Sequence, residues 1–298
     1  MNSKLLKKGP IYDIARWLFK SRPYLSDEKQ IKLIYKQRFG AYPDLNNPKN
    51  FNEKNNWRKL HERNDLYTKM VDKYSLKEII KERCGEEHTF KLLDYWEDAN
   101  DINIDNLPDK FVLKANHSGG ILVCKDKYSF NLNKAKIIMK KALKEDYYSF
   151  NREWPYKNVK RKIIAEEYMG ENLIDYKNYC FNGELKYTLV WKNVSKEDGT
   201  KPQAYFCGAY DTDWNKTDLK LGYPSLDDAT IEKPNCYDEL KEIAEKMSKD
   251  MPFVRVDTYI INNYIYVGEM TFFPWGGYQK FIDNEWNIKL GNMINLIK

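Results

Sequence analysis

At 298 residues, 42% of them apolar and 15% aromatic, the chain carries enough nonpolar surface for one or two cored domains and is not a disordered polymer. Its 50 basic and 44 acidic residues leave a net charge of +6, spread rather than clustered, which disfavours a nucleic-acid footprint and permits an anionic ligand. A mean hydropathy of −0.77, with no apolar run near the ~20 residues of a membrane helix, excludes a spanning helix.

The N-terminus, MNSKLLKKGP, has basic residues but no hydrophobic core behind them, so no signal peptide is expected. Ile11 to Phe19 is amphipathic, and with Lys4, Lys7, Lys8, Arg16 and Lys20 it would suit anionic lipid; a helix packed on the domain is the preferred reading. Ser26 caps a helix with Ile31, Ile34, Tyr35 and Phe39 on one side and Gly40 as its stop. YPDLNNPKNFNEK follows as a turn-rich connector, with Asn50 and Glu53 suited to starting the next helix. Ser75 and Glu78 predict a capping box for a helix ending at Cys84, with Gly85 behind it.

From Phe111 the period changes to that of strands. FVLK, NHSGG and ILVC predict strand, glycine turn, strand. Asn131 to Asp146 is helical and RKIIAEEYM is a strand. DYKNYCF and ELKYTLVW flank Asn182-Gly183, a strong hairpin signal. A Tyr-rich strand near Ala204 to Tyr210 precedes the helix YDELKEIAEKMSKD. FVRVDTYII and YIYVGEMTFF then form a last hairpin around Asn262-Asn263. The sum is a mixed α+β fold with antiparallel sheets, not a doubly wound parallel one. Cys84, Cys124, Cys180, Cys207 and Cys236 are odd in number and lack a C-x-x-C pair, which predicts reduced thiols filling core positions of a cytoplasmic protein. Three histidines cannot build a His-rich metal site.

Three segments carry candidate chemistry. In FVLKANHSGGILVCKD, Lys114 ends a strand and His117, Ser118, Gly119 and Gly120 turn the chain back; paired glycines let amides approach a polyphosphate, although such a turn is more often only a hairpin. It is not a Walker A loop. In the last hairpin, Arg255 and Asp257 share a strand face, as do Glu269 and Thr271. Carboxylates there suit a hard cation such as Mg²⁺. A two-residue turn at Asn262-Asn263 would pair Asp257 with Gly268 and turn Glu269 away, so the metal reading requires an odd-length loop. The third segment, IIAEEYMGENLIDYK, could present amides to an adenine edge and a carboxylate to ribose; alone, it is an ordinary strand entering a charged loop.

In order, these segments resemble the ATP-grasp superfamily. Asp72-Lys73 matches its first lysine position, Lys114 and the loop through Gly120 the second, and Glu166, Glu167, Tyr168 and Met169 the adenine hinge. Asp175-Tyr176-Lys177 is similar to a D-x-R hairpin with Lys for Arg, and Arg255, Asp257, Glu269 and Thr271, then Pro274 and Gly276, match R-x-D…E-x-N…P-G. Thr271 stands where Asn is usual, which weakens a second magnesium site. NPKNFNEKNNWRKLHERNDLYTKMVDKY, REWPYKN, FVRVDTYI and GEMTFFPWGG resemble the TupA-like branch, associated with teichuronopeptide, capsule and other surface polysaccharides; the resemblance runs from about Tyr12 to the C-terminus.

The resemblance implies a helical region over 1–72, one grasp subdomain over 73–168 and a second over 169–298, gripping ATP between antiparallel sheets. It implies a cytoplasmic ligase, possible contact with membrane-bound polysaccharide machinery at the inner face included, that joins a uronic acid or aminoacyl carboxylate to an amine through an acyl phosphate. Asp257, Glu269 and Thr271 would hold Mg²⁺; Lys73 and Lys114 would neutralise phosphates under the Gly119-Gly120 amides; Arg255 would stabilise the transferred phosphoryl group; Lys177 would take phosphate or acyl substrate; the hinge and Asp175 would bind nucleotide. Tyr147, Tyr148 and REWPY form a loop that could stack on sugar, with a packed Trp-Pro turn at least as good a reading. A kinase or a glycosyltransferase remains the alternative. The latter has only Asp211-Thr212-Asp213 for a D-x-D motif, which reads better as a capped turn.

Overall fold

The computed structural model describes residues 22–194, 203–226 and 230–296, so the amphipathic segment Ile11 to Phe19 and its basic neighbours lie outside the described residues. Helix α1 (Asp27–Phe39) starts where Ser26 accepts the Lys29 amide and stops at Gly40 with φ 81°. Helix α2 (Phe51–His61) opens on the reciprocal capping box of Asn50 and Glu53. A short α3 (Asp65–Val71) leads through Asp72 and Lys73 into α4 (Leu76–Arg83). Here the expected Ser75–Glu78 capping box does not form. Ser75 already has helical angles and its side chain makes no cap bond, while Asp72 accepts from the Tyr74 amide at 2.9 Å and the Ser75 hydroxyl at 2.8 Å. A carboxylate is the stronger acceptor, and it displaces the serine from the role.

Strands β1 (Leu92–Trp96), β2 (Phe111–Ala115), β3 (Ile121–Cys124) and β4 (Ile163–Glu167) make one antiparallel sheet in the order β1-β4-β2-β3. Alternation sends Phe111, Leu113, Ala115, Ile163 and Ala165 to one face, where they pack on Ala135 and Met139 of α5 (Leu132–Ala142). Lys114 and Glu166 point from the other.

Strands β5 (Ile174–Phe181), β6 (Glu184–Val194), β7 (Gln203–Tyr210), β8 (Phe253–Ile261) and β9 (Tyr264–Thr271) make a second antiparallel sheet, ordered β7-β6-β5-β8-β9. The predicted Asn182-Gly183 turn has φ 53° and 83°, the positive values a two-residue hairpin needs. Short helix α6 (Tyr147–Asn151) precedes the second sheet in the chain; α7 (Tyr237–Ser248) covers one of its faces with Leu240, Ile243, Ala244 and Met247 against Cys180, Val190, Val254 and Val256. The other face carries Asp175, Lys177, Tyr179, Arg255, Asp257 and Glu269, bordered by aromatics that pack toward α2 and α8 (Asn284–Asn292). Each sheet thus has a helix-covered apolar face and a face bearing charge, as expected of a mixed α+β fold. Phe90 links the charged faces: its ring lies 5.1 Å below the Lys114 ammonium and 5.2 Å from the Tyr266 ring. All five cysteines are thiols, three of them buried. Among the described residues no helix is long and apolar enough to cross a membrane.

Candidate functional site

The β8–β9 hairpin turns on two residues, Asn262 at φ 53° and Asn263 at φ 64°, with Ile261 paired to Tyr264. The odd-length loop on which the metal reading was conditional is therefore absent, and the required offset arises elsewhere. Thr258 pairs with Val267 but Asp257 pairs with Glu269, so Gly268 is the extra residue of a β-bulge. Past that point Asp257 faces Glu269 and Arg255 faces Thr271 on one side of the sheet.

Around this pair the structure gathers three cations. The Arg255 guanidinium grips Asp257 through Nε–Oδ1 at 2.5 Å and Nη2–Oδ2 at 2.6 Å, and donates to Thr271 Oγ1 at 3.0 Å. Lys177, paired with Asp257 across β5–β8, donates to Asp257 Oδ2 at 2.9 Å and Asp175 Oδ2 at 2.5 Å. Lys73 reaches in from the α3–α4 turn to Glu269 Oε1 at 3.3 Å and the Ser118 carbonyl at 3.3 Å. Burial pushes the Glu269 carboxyl up, but Lys73, Arg255 and Lys177 outweigh it and hold it at about 2. Burial likewise opposes the charge on Lys177, which Asp175 and Asp257 override, raising its pKa; Asp175, more deeply desolvated than paired, is itself raised. The phenols of Tyr156 and Tyr259 are pushed up by burial and then by neighbouring carboxylates, Glu269 among them, so both stay protonated.

On the first sheet Glu166 is wedged between Lys114 and Lys77 of α4, each ammonium 2.5 Å from a carboxylate oxygen. Burial raises the Glu166 carboxyl and the two lysines more than reverse this, to about 2. Glu167 caps the Lys91 amide at 2.9 Å, and Tyr168 and Met169 lie half-buried beyond it. The glycine turn differs in detail from expectation. Gly120 is glycine because a Cβ there would stand 2.3 Å from Ala142 Cβ of α5, a packing demand and not a phosphate one. The Gly119 amide donates to the Tyr147 hydroxyl at 3.2 Å. His117 is buried, its ring nitrogens on Asn116 Oδ1 at 3.1 Å and the Glu145 carbonyl at 3.1 Å, and desolvation lowers its pKa to about 4. Neutral, it can donate to only one of these two oxygens, and it packs the turn against the segment just beyond α5.

Lys73, Ser118 and Glu269 thus form one group and Arg255, Asp257, Thr271, Lys177 and Asp175 another, brought side by side by the Asp257–Glu269 pairing, while Lys114 and Glu166 meet beside the Phe90 ring. The sequence did not single out Lys77 or the hydroxyl of Tyr147. Arg152 of REWPY is buried on Asp27, 3.1 Å away, and Trp154–Tyr156 is a tight turn, so this stretch packs rather than offering itself to a ligand. Asp211 Oδ1 accepts from the amides of Asp213 at 3.0 Å and Asn215 at 2.8 Å, and Trp214 stacks on Tyr210: a capped turn.

The oxygen donors fit a hard cation. Two facing carboxylates and a hydroxyl suit Mg²⁺, which keeps water and phosphate oxygens for the rest of its shell. Among the described residues no group of three or more His, Cys, Asp or Glu could hold a metal by itself.

A family model described as TupA-like ATPgrasp matches residues 53–295. Similar solved structures include D-alanine–D-alanine ligase from Bacillus anthracis complexed with ATP, at 16% identity and TM-score 0.39 over 68% of this chain and 54% of that one. L-amino acid ligase from Bacillus licheniformis aligns at 11% identity and TM-score 0.41 over 87% and 53%. N5-carboxyaminoimidazole synthetase from Staphylococcus aureus complexed with ADP aligns at 14% and 0.41 over 68% and 44%. The chain spans about half the length of these structures. No match is found among curated proteins.

Proposed function

From the premise that the chain belongs to the TupA-like ATP-grasp family, we propose that it is an ATP-dependent carboxylate–amine ligase that joins an amino acid or amine to a uronic-acid sugar or glycan precursor of a surface polysaccharide. The observation that carries this reading is Asp257 facing Glu269 with Lys73, Lys177 and Arg255 converged on them from separate elements.

In this reading a substrate carboxylate oxygen attacks the γ-phosphorus of ATP; the new P–O bond forms as the bond to the β-phosphate bridge breaks, and ADP leaves. The amine then adds to the acyl carbon, its proton passes to solvent, and phosphate departs as the amide forms. Asp257, Glu269 and Thr271 would hold Mg²⁺, which supplies charge neutralisation at the β- and γ-phosphates. Lys73 is placed to exchange Glu269 for a phosphate oxygen, and Lys114 to do the same from Glu166. Arg255 stays charged against Asp257 and meets the charge that develops on the transferred group. The hinge, Glu166 to Met169, would take the adenine edge. Lys177 would order the acyl end, and Asp175, expected from the sequence to bind nucleotide, is assigned to the acyl end instead because it is bonded to Lys177. The division of the chain into 1–72, 73–168 and 169–298 belongs to the same proposal, as does a cytoplasmic setting.

Uronic acids screened against an amino-acid panel with Mg-ATP, read by ADP and phosphate release, test it. A ligase releases both, whereas a kinase leaves phosphate on its acceptor. Asp257→Asn and Glu269→Gln should each lose about 10²-fold or more in turnover. Near-native rates in both would overturn the assignment.

A further inference from the structure

Beyond β9 the chain enters Pro274–Gly277, where Trp275, Gly276 and Gly277 have φ of 55°, 69° and 79°. Glycine adopts this region without cost, but tryptophan does not, and Trp275 is nonetheless 45% exposed. The loop is held from beneath. Lys59 Nζ donates to the Gly276 carbonyl at 2.7 Å and Asn56 Nδ2 to the Gly277 carbonyl at 2.7 Å, both from the buried side of α2. A rigid support thus keeps a large ring in an unfavourable backbone conformation with nearly half of its surface exposed.

That ring lies flat on Tyr223, centroids 3.9 Å apart and planes 11° apart, and Tyr223 is pinned in turn as its hydroxyl accepts the Lys280 amide at 3.3 Å. Trp191 stands beside them, its ring 6.4 Å from Trp275 and 6.1 Å from Tyr223. Trp191 is 4% exposed, and its indole N–H finds no acceptor. Directly across the β5–β6 pairing from Trp191 is Asp175, 6% exposed, whose Oδ1 finds no donor. A buried donor and a buried acceptor without partners, on facing residues of one sheet face, are the pair that a single hydroxyl satisfies, since a hydroxyl both donates and accepts. A plain aromatic ligand without a hydroxyl would cover the Trp275 face but leave both atoms unmet. A hydroxylated ring with a C–H face meets the plate and the two atoms together.

We propose that the Trp275–Tyr223 plate, with the Trp191 N–H and Asp175 Oδ1 at its edge, is the subsite for the pyranose ring of the sugar substrate. This rests on the ligase reading and adds to it the place and the chemistry of recognition. Saturation-transfer NMR titrations with methyl β-glucuronide and methyl β-glucoside, alongside calorimetry with MgADP, test it on the full chain. Trp275→Gly removes the ring and keeps the backbone conformation, so the fold is preserved. It should weaken binding of both sugars about tenfold or more while MgADP binds as in the parent. Trp191→Phe, which keeps an aromatic side chain but removes the N–H together with part of the ring, should weaken the sugars by a smaller factor. Equal sugar binding by the parent and Trp275→Gly, no binding of either sugar to the parent, or preference for free phenylalanine over both would each overturn the subsite. If the sugars bind this face but no amine yields ADP, the ligase reading falls and the subsite stands. If ADP forms and Trp275→Gly leaves the sugar's KM unchanged, the reverse holds.

Discussion

Gly268 lies under the ring of Tyr259: a Cβ on residue 268 would stand 2.7 Å from Tyr259 Cε2. The ring cannot swing away freely, since Tyr259 packs on Phe90 at 5.9 Å and belongs to the strand facing the bulge. Gly268→Ala should therefore force the ring or the bulge to shift, at a cost of about 1–3 kcal/mol. Thermal unfolding should show a drop of several degrees. Because the bulge sets Asp257 opposite Glu269, turnover should fall as well. An unchanged melting temperature would show that the bulge tolerates a side chain.

The charge on Glu166 is what keeps Lys77 and Lys114 together. Glu166→Gln leaves Lys77, already lowered by burial, without its carboxylate, and breaking a buried pair in this way costs about 3–5 kcal/mol. Adding Lys77→Met should recover part of the loss in a double-mutant cycle. With the native carboxyl at about 2 instead of its ordinary 4.5, this contribution is complete above pH 4.5 and lost as pH falls toward 2. Denaturant midpoints of parent and Glu166→Gln should therefore converge over that window; parallel curves would refute the pairing.

How much of this was written in the sequence depends on the reach of each contact. The Asn50–Glu53 box and the Asn182-Gly183 turn are set within a few residues, and both formed as read. The Ser75 cap failed because Asp72, three residues earlier, competes for the same groups. The facing of Asp257 and Glu269 was legible only as a condition, since the offset comes from a bulge at Gly268, and a glycine inside a strand does not announce which neighbour it faces. Lys77 looked like any surface lysine of a helix; its partner is 89 residues away and appears only when α4 meets β4.

His117 should make the fold sensitive to mild acid. Its native pKa of about 4 lies below the ordinary 6.5, so the unfolded chain binds the proton first as pH falls, and stability drops between 6.5 and 4. The shift corresponds to at most about 3 kcal/mol. His117→Gln, which keeps hydrogen-bonding capacity without titrating, should flatten this component. Urea unfolding at pH 7 and pH 4.5 provides the comparison, and an equal pH effect in both proteins would assign the acid sensitivity elsewhere.

The Tyr147 hydroxyl occupies the Gly119 amide that the proposed triphosphate would approach. The phenol is held protonated, since burial raises its pKa and the Glu145 and Glu269 carboxylates add to the effect, so it cannot itself supply charge to a phosphate. Nucleotide entry then requires this hydrogen bond to break before the amide turns to a phosphate oxygen. Tyr147→Phe removes the competing acceptor but keeps the ring, which packs edge-on against Tyr156 at 5.1 Å. Since one neutral hydrogen bond contributes about 1 kcal/mol, MgADP should bind the variant about fivefold more tightly. The exposed Gly119 amide can be solvated in the free protein, so stability should change little. Calorimetry with MgADP reads the affinity directly. Weaker binding in Tyr147→Phe would mean that the hydroxyl contacts the nucleotide instead of standing in its way.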